Sequence, residues 1–334
     1  MPLPTDERIV ALANALLEQF DLIFGMHPGF RAAHAKGLML TGMFRPTAQA
    51  QSLTRAPHAL RAATPVTARF SNSTGLPQIP DNVPDANPRG LAIRFNLADH
   101  VHTDIVSHST DGFPTRDGEE FLEFLRAVAA SGPDAPSPKP VERFLGSHPA
   151  ALAFVQAPKP FPSSLARETY FAVTAFAFSN AGGQTRFGRY RIVPELGNDY
   201  LTDAQVSSAS RNYHYEELAE RVSRSPIRFQ VMVQLAGPGD IVDDSTVHWP
   251  ENREALEFGT IELTSVMPDT LAQQKHIIFD PIPRVDGIDS SPDPLLELRA
   301  AIYLLSGRRR RSAGAAQVAE PAAAKEELSG AATT

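Results

Sequence analysis

The strongest constraint on this chain is a set of strand-length runs in which apolar and polar residues alternate, strung between long connections. Residues 227–235 alternate cleanly, and residues 66–71 and 91–95 do so over shorter lengths. A side-chain period of two marks a sheet with one face in a core. Residues 103–106 form a shorter run, 259–266 a further one, and 170–178 is apolar enough for a strand buried on both faces. Such strands, without regular helical crossovers between them, predict a closed antiparallel β-barrel.

Helical patterns flank these runs, so the fold class is α+β, a barrel core with surrounding helices. Thr5 caps a first helix, with Ile9, Leu12, Leu16, Phe20 and Ile23 on one stripe. A second helix starts near Asp117, with Glu120 placed for a capping box and Phe121, Phe124, Leu125 and Val128 on its apolar face. Ser291 and Pro292 open a last helix that runs through Leu295, Leu298, Ile302 and Leu305 into Arg308 to Arg311. Residues 131–165, rich in Pro and Ser, read as a long wrapped connection. The expected organisation is an N-terminal helix over 1–24, one folded domain over 25–311, and a disordered tail over 312–334 with almost no large apolar residues.

Composition narrows the chemistry. The chain has 334 residues and no cysteine, which removes disulfides, thiolate ligands and thiol nucleophiles. A net charge of −7 gives no reason to expect nucleic acid or an anionic membrane as partner. No apolar run approaches the ~20 residues of a membrane span. The first residues lack the basic-then-apolar order of a secretory signal, so a cytoplasmic location is expected. His100 and His102 have no third ligand at zinc spacing and read as solvated loop residues.

Three small patterns can carry chemistry. Arg299 and Tyr303 stand four apart on the last helix and share a face, and a guanidinium alongside favours a phenolate, a strongly donating iron ligand. His34, in the run Arg31-Ala-Ala-His-Ala-Lys-Gly37, suits a general base that moves a proton between two oxygens. Arg69 and Ser71 point to one face of a strand; the arginine can grip a carboxylate and the hydroxyl can orient an imidazole. Each pattern alone also fits an ordinary core or surface residue.

Their order along the chain is more specific. His34-Ala-Lys-Gly, Arg69-Phe-Ser71, Asn87-Pro-Arg-Gly90, Asp104-Ile-Val, Phe187-Gly-Arg-Tyr190 and Arg299-x-x-x-Tyr303 together resemble the catalase superfamily, from about residue 25 to about 310. Residues 243–250 and 289–296 add to the likeness, which is greatest to the small catalase-related heme peroxidases. The resemblance implies a buried heme b between barrel and helices, with Tyr303 as iron ligand, Arg299 as its partner, and His34 with Ser71 on the opposite side. It implies that Arg31, Arg69 and Arg310 bind the heme propionates, and that Phe113 and Phe121 line the pocket. It further implies a peroxidase that reduces hydrogen peroxide or organic peroxides with a small organic reductant, with weak catalase activity. A hydroperoxide-rearranging enzyme and a heme sensor are the alternatives; a homodimer is compatible with all three. One position departs from the family. His108 stands where an asparagine is expected to donate a hydrogen bond to peroxide, and an imidazole is larger and ordinarily titrates near neutral pH.

Overall fold

The computed structural model describes residues 2–314. Its ten strands are β1 (Gly37–Pro46), β2 (Thr64–Ser71), β3 (Gly90–Ala98), β4 (Val101–His108), β5 (Tyr170–Phe171), β6 (Phe176–Ser179), β7 (Thr185–Pro194), β8 (Ile227–Leu235), β9 (Ala255–Val266) and β10 (Ile288–Ser290). Antiparallel pairing runs β1–β2–β3–β4–β5–β7–β8–β9 and returns to β1, so eight strands close into the expected barrel. Closure leaves no exposed edge on the ring, while β6 and β10 extend outward from β7.

The barrel is a packed core, because the inward residues of each alternating run are large and apolar. Phe44, Phe70, Phe95, Phe229 and Phe258 are fully buried there; truncating one such ring costs about 3–5 kcal/mol. His58 is wedged among Phe44, Phe95 and Phe258. Function must therefore sit on the outside of the ring. A second apolar cluster joins the helices Glu7–Phe24, Gly118–Ala129 and Leu295–Ser312 through Leu16, Leu122, Leu125, Leu295, Leu298 and Ala301.

The boundaries differ from expectation in four places. Asp6, not Thr5, caps the first helix, accepting from the Arg8 amide at 2.9 Å. The run 170–178 is two strands, since residues 172–175 leave the ladder as the chain steps from the ring to the outer β6–β10 pair. The connection 131–165 contains two short helices, Pro140–Ser147 and Pro149–Gln156, each opened by its proline. The last helix begins at Leu295 rather than at Ser291, with Pro294 at its N-cap position and the Leu295 amide donating to Asp293 Oδ1 at 2.9 Å. That helix continues to Ser312, and most of the expected tail lies outside the described residues. Among those residues, no helix is long and apolar enough to cross a membrane.

Candidate active site

The register of the sheet builds the first part of the site. Gly37, Ser71, Gly90, His108 and Phe171 pair in one continuous row across β1 to β5. Phe70 and Leu91 belong to the barrel core, so alternation turns Ser71 and Gly90 to the outer face, and Arg69 with them. Over this row lies the segment that carries His34. Its ring Nδ1 is 3.0 Å from Ser71 Oγ, as the sequence led us to expect. A Cβ at Gly90 would fall 2.5 Å from Ser71 Oγ and 2.9 Å from His34 Nδ1, so only glycine leaves room for this pair.

His34 adopts the left-handed region, with φ 56°, a conformation that costs a non-glycine residue about 1–3 kcal/mol. It is held there from two sides. The His34 amide donates to Ser73 O at 3.0 Å, and Arg69 Nη2 donates to the His34 carbonyl at 2.8 Å. Burial, with the charge of Arg69 and then of His108, Arg31 and Arg299, pushes the His34 imidazole down to about 3. The ring is therefore neutral at physiological pH.

His108 ends β4 on the same row, and its Nδ1 accepts from the Thr110 amide at 3.3 Å. Burial first, then the charge of Arg299, lowers it to about 3. The expectation that this imidazole changes charge near neutral pH is thus overturned: burial, with the Arg299 charge nearby, keeps it neutral. The charge of Arg299, on the last helix, contributes to the lowering of both histidines. Arg299 Nε lies 3.4 Å from the Tyr303 hydroxyl, with its guanidinium 5.8 Å from the ring centroid.

Arg31, Arg69 and Arg310 converge from three distant parts of the chain. Arg31 and Arg310 both donate to Ile277 O, at 3.1 and 2.9 Å. Arg31 also reaches Gln274 O at 3.2 Å, while Arg69 Nε donates to Gln274 Oε1 at 2.7 Å. Arg69 and Arg310 are only 3% exposed. Among the described residues, no carboxylate lies within ion-pair distance of any of the three, and Arg310 Nε has no hydrogen-bond partner. Burial lowers Arg69 to about 10 and Arg310 to about 9, the latter also through the charge of Arg69. Two buried cations and a half-buried one, crowded together without an acid, suit a dianion or two carboxylates.

Phe113 and Phe121 meet at 5.0 Å between ring centroids and pack on the helical cluster, where Phe20 contacts Phe121 at 6.3 Å. Two of the sequence motifs prove structural. Asp104 forms a buried ion pair with Arg94, at 2.7 and 2.8 Å, and accepts from the Asp280 amide. Arg89 is fully buried and ties Asn72 and Asp81 O beneath the His34 segment. Among the described residues, no cluster of His, Cys, Asp and Glu could hold a metal ion.

Sequence reasoning missed Gly90 and Gln274. Glycine contributes here by what it lacks, and Gln274 is over two hundred residues from the arginine it serves. The only early signal for Gly90 was its place in a recognised motif.

This constellation can be compared with known proteins. The family model described as Catalase matches residues 28–328. The chain belongs to the catalase family. It is 34% identical over 301 residues to a catalase-related peroxidase of Synechococcus elongatus, covering 89% of this chain and 88% of that protein. A catalase-related peroxidase of Mycolicibacterium paratuberculosis is 33% identical over 293 residues, covering 86% and 90%. Among solved structures, catalase A from Saccharomyces cerevisiae superposes with a TM-score of 0.75 at 22% identity. A fungal catalase at 21% identity gives the same TM-score, which speaks for the fold. The chain spans about 60% of the length of these solved catalases. Membership in this family makes the protein an oxidoreductase acting on peroxide.

Proposed function

We propose that this catalase-family protein is a heme b-dependent peroxidase of the cytoplasm. It reduces hydrogen peroxide or organic peroxides with an organic reductant and has weak catalase activity. The observation that carries the reading is the trio of guanidiniums, Arg69 and Arg310 buried and Arg31 half-buried, without an acid partner among the described residues. Arg31, Arg69 and Arg310 would receive the two propionates of heme, and the orphaned Arg310 Nε is a donor awaiting one of them. Tyr303 would supply the iron ligand, with Arg299 Nε donating to its hydroxyl oxygen. The residues present therefore fit the group. Bound there, heme would supply the two-electron redox chemistry that no side chain of this site can.

The protein's own part is to place and move a proton. In the tautomer whose Nδ1 donates to Ser71 Oγ, 3.0 Å away, the neutral His34 ring offers Nε2 as the acceptor. Nε2 can take the proton from one peroxide oxygen and hand it to the other, which makes that second oxygen the better leaving group. A pKa of about 3 keeps His34 unprotonated at working pH and makes it quick to return the proton. Ser71, Gly90 and Arg69 fix where that proton is exchanged. His108, neutral and on the same row, has one ring nitrogen to donate to bound peroxide in place of the family's amide.

The experiment is stopped-flow mixing of the heme-loaded protein with hydrogen peroxide, for the parent and for His34→Ala. The variant should keep its heme but react ~10²–10⁴-fold more slowly. An unchanged rate would remove His34 from the proton transfer.

A further inference from the structure

Beside the arginine trio a hollow of about 180 Å³ opens to the surface, between the segment Gly29–Arg31, the start of β1 and the helix Thr270–His276. Its walls are mainly apolar and aromatic, with Phe30, Leu38, Tyr215 and Leu271 among them, and Leu271 at its mouth is 44% exposed. Arg31 and Gln274 also line it, and these are the residues that bond the neighbouring arginines and the Ile277 segment. The hollow is thus separated from the active site by one guanidinium and one amide.

Size and charge define what fits. Ligand pockets for larger organic molecules run from about 300 Å³ upward. A space of 180 Å³ admits one substituted ring and excludes a dinucleotide. Flat walls such as Phe30 and Tyr215 favour an aromatic ring. Lys36 also lines the hollow, but its charge is offset by Asp81 at 2.7 Å, so it adds no net field. The arginine trio does. Two propionates would offset two of its charges and leave one over, and Arg31 is the member of the trio that lines the hollow.

We propose that the hollow binds a monocyclic phenol bearing one carboxylate, and that this is the organic reductant. The inference rests on the peroxidase reading above and names its second substrate class. The carboxylate lies toward Arg31, and the ring stacks between the aromatic walls. Each phenol gives up one electron and its phenolic proton. Two of them reduce one hydrogen peroxide: the O–O bond breaks, two waters form, and two phenoxyl radicals leave.

The test is isothermal titration calorimetry on the heme-loaded protein at pH 7, with 4-hydroxybenzoate and its uncharged methyl ester as probes. The acid should bind at least tenfold more tightly than the ester. Leu271→Trp, which fills the mouth from an exposed position, should weaken the acid at least tenfold. In parallel, peroxide-driven oxidation of 4-hydroxybenzoate should show a raised KM in that variant. Equal affinity for acid and ester, or no binding of either, overturns the inference, and this comparison needs no variant. Unchanged acid binding in Leu271→Trp also overturns it. Loss of these results while a soluble dye is still oxidised by peroxide counts against the hollow alone. Failure to oxidise any donor, dye included, counts against the peroxidase reading.

Discussion

A single methyl group added at Gly90 tests how tightly the His34–Ser71 pair is held. Gly90 has no positive φ, so Gly90→Ala leaves the strand conformation unstrained. The obstacle is contact: the new Cβ would lie 2.5 Å from Ser71 Oγ and 2.9 Å from His34 Nδ1. Ordinary contact begins at 3.4 Å, so the hydroxyl must retreat by about 1 Å and the ring by about half that. Either movement breaks or bends the 3.0 Å hydrogen bond that fixes the imidazole. A misplacement of about 1 Å costs on the order of 10²-fold in rate. Overpacking of this kind costs about 1–3 kcal/mol, small against the ~5–15 kcal/mol that holds a domain together. Gly90→Ala should therefore fold and keep its heme, yet react with peroxide on the order of a hundredfold more slowly in stopped-flow mixing. A rate within twofold of the parent, at equal heme content, would refute the claim that Gly90 sets the position of the pair.

Two other histidines give separate tests. His108→Asn offers peroxide an amide donor in place of a bulkier ring, a gain of about one hydrogen bond or ~0.5–1.5 kcal/mol, so oxygen evolution from hydrogen peroxide should rise ~2–10-fold. Because His108 is lowered to about 3, the shape of the pH profile between roughly pH 5 and 8 should not change, and an oxygen electrode would reveal either deviation. His58 is buried away from the site and lowered from 6.5 to about 3, chiefly by burial and then by Arg61. The unfolded state therefore binds the extra proton below 6.5, so stability falls as pH drops through that value and continues to fall until about 3. At pH 5 the loss is about 2 kcal/mol, and His58→Phe should abolish it; urea unfolding at pH 5 and pH 8 would show an unchanged pH dependence if the reasoning fails.

The parts of the site that the sequence exposes are those built by local periodicity. Arg299 and Tyr303 meet because residues four apart share a helical face, and Arg69 and Ser71 because residues two apart share a strand face. The barrel follows from the same alternation. What stayed hidden depends on register and burial. The row from Gly37 to Phe171 exists only once five strands are paired, and nothing in the run around Gly90 announces that its missing side chain shelters His34. The same holds for His108, whose residue type suggests a neutral-pH titration that its buried position suppresses. The last helix starts later than the sequence suggests because Pro292 and Pro294 both permit a helical beginning, and the chain uses the second.

The proposed chemistry requires heme seated between the arginine trio and Tyr303. The most direct measurement is an absorption titration of the purified protein with heme, read at the Soret band, for the parent and for Tyr303→Phe. One heme per chain should bind the parent with the spectrum of a tyrosinate-ligated ferric heme, and Tyr303→Phe should lose that spectrum or lose the heme. A parent that takes up no heme, or a Tyr303→Phe protein with the parent's spectrum and stoichiometry, would contradict it.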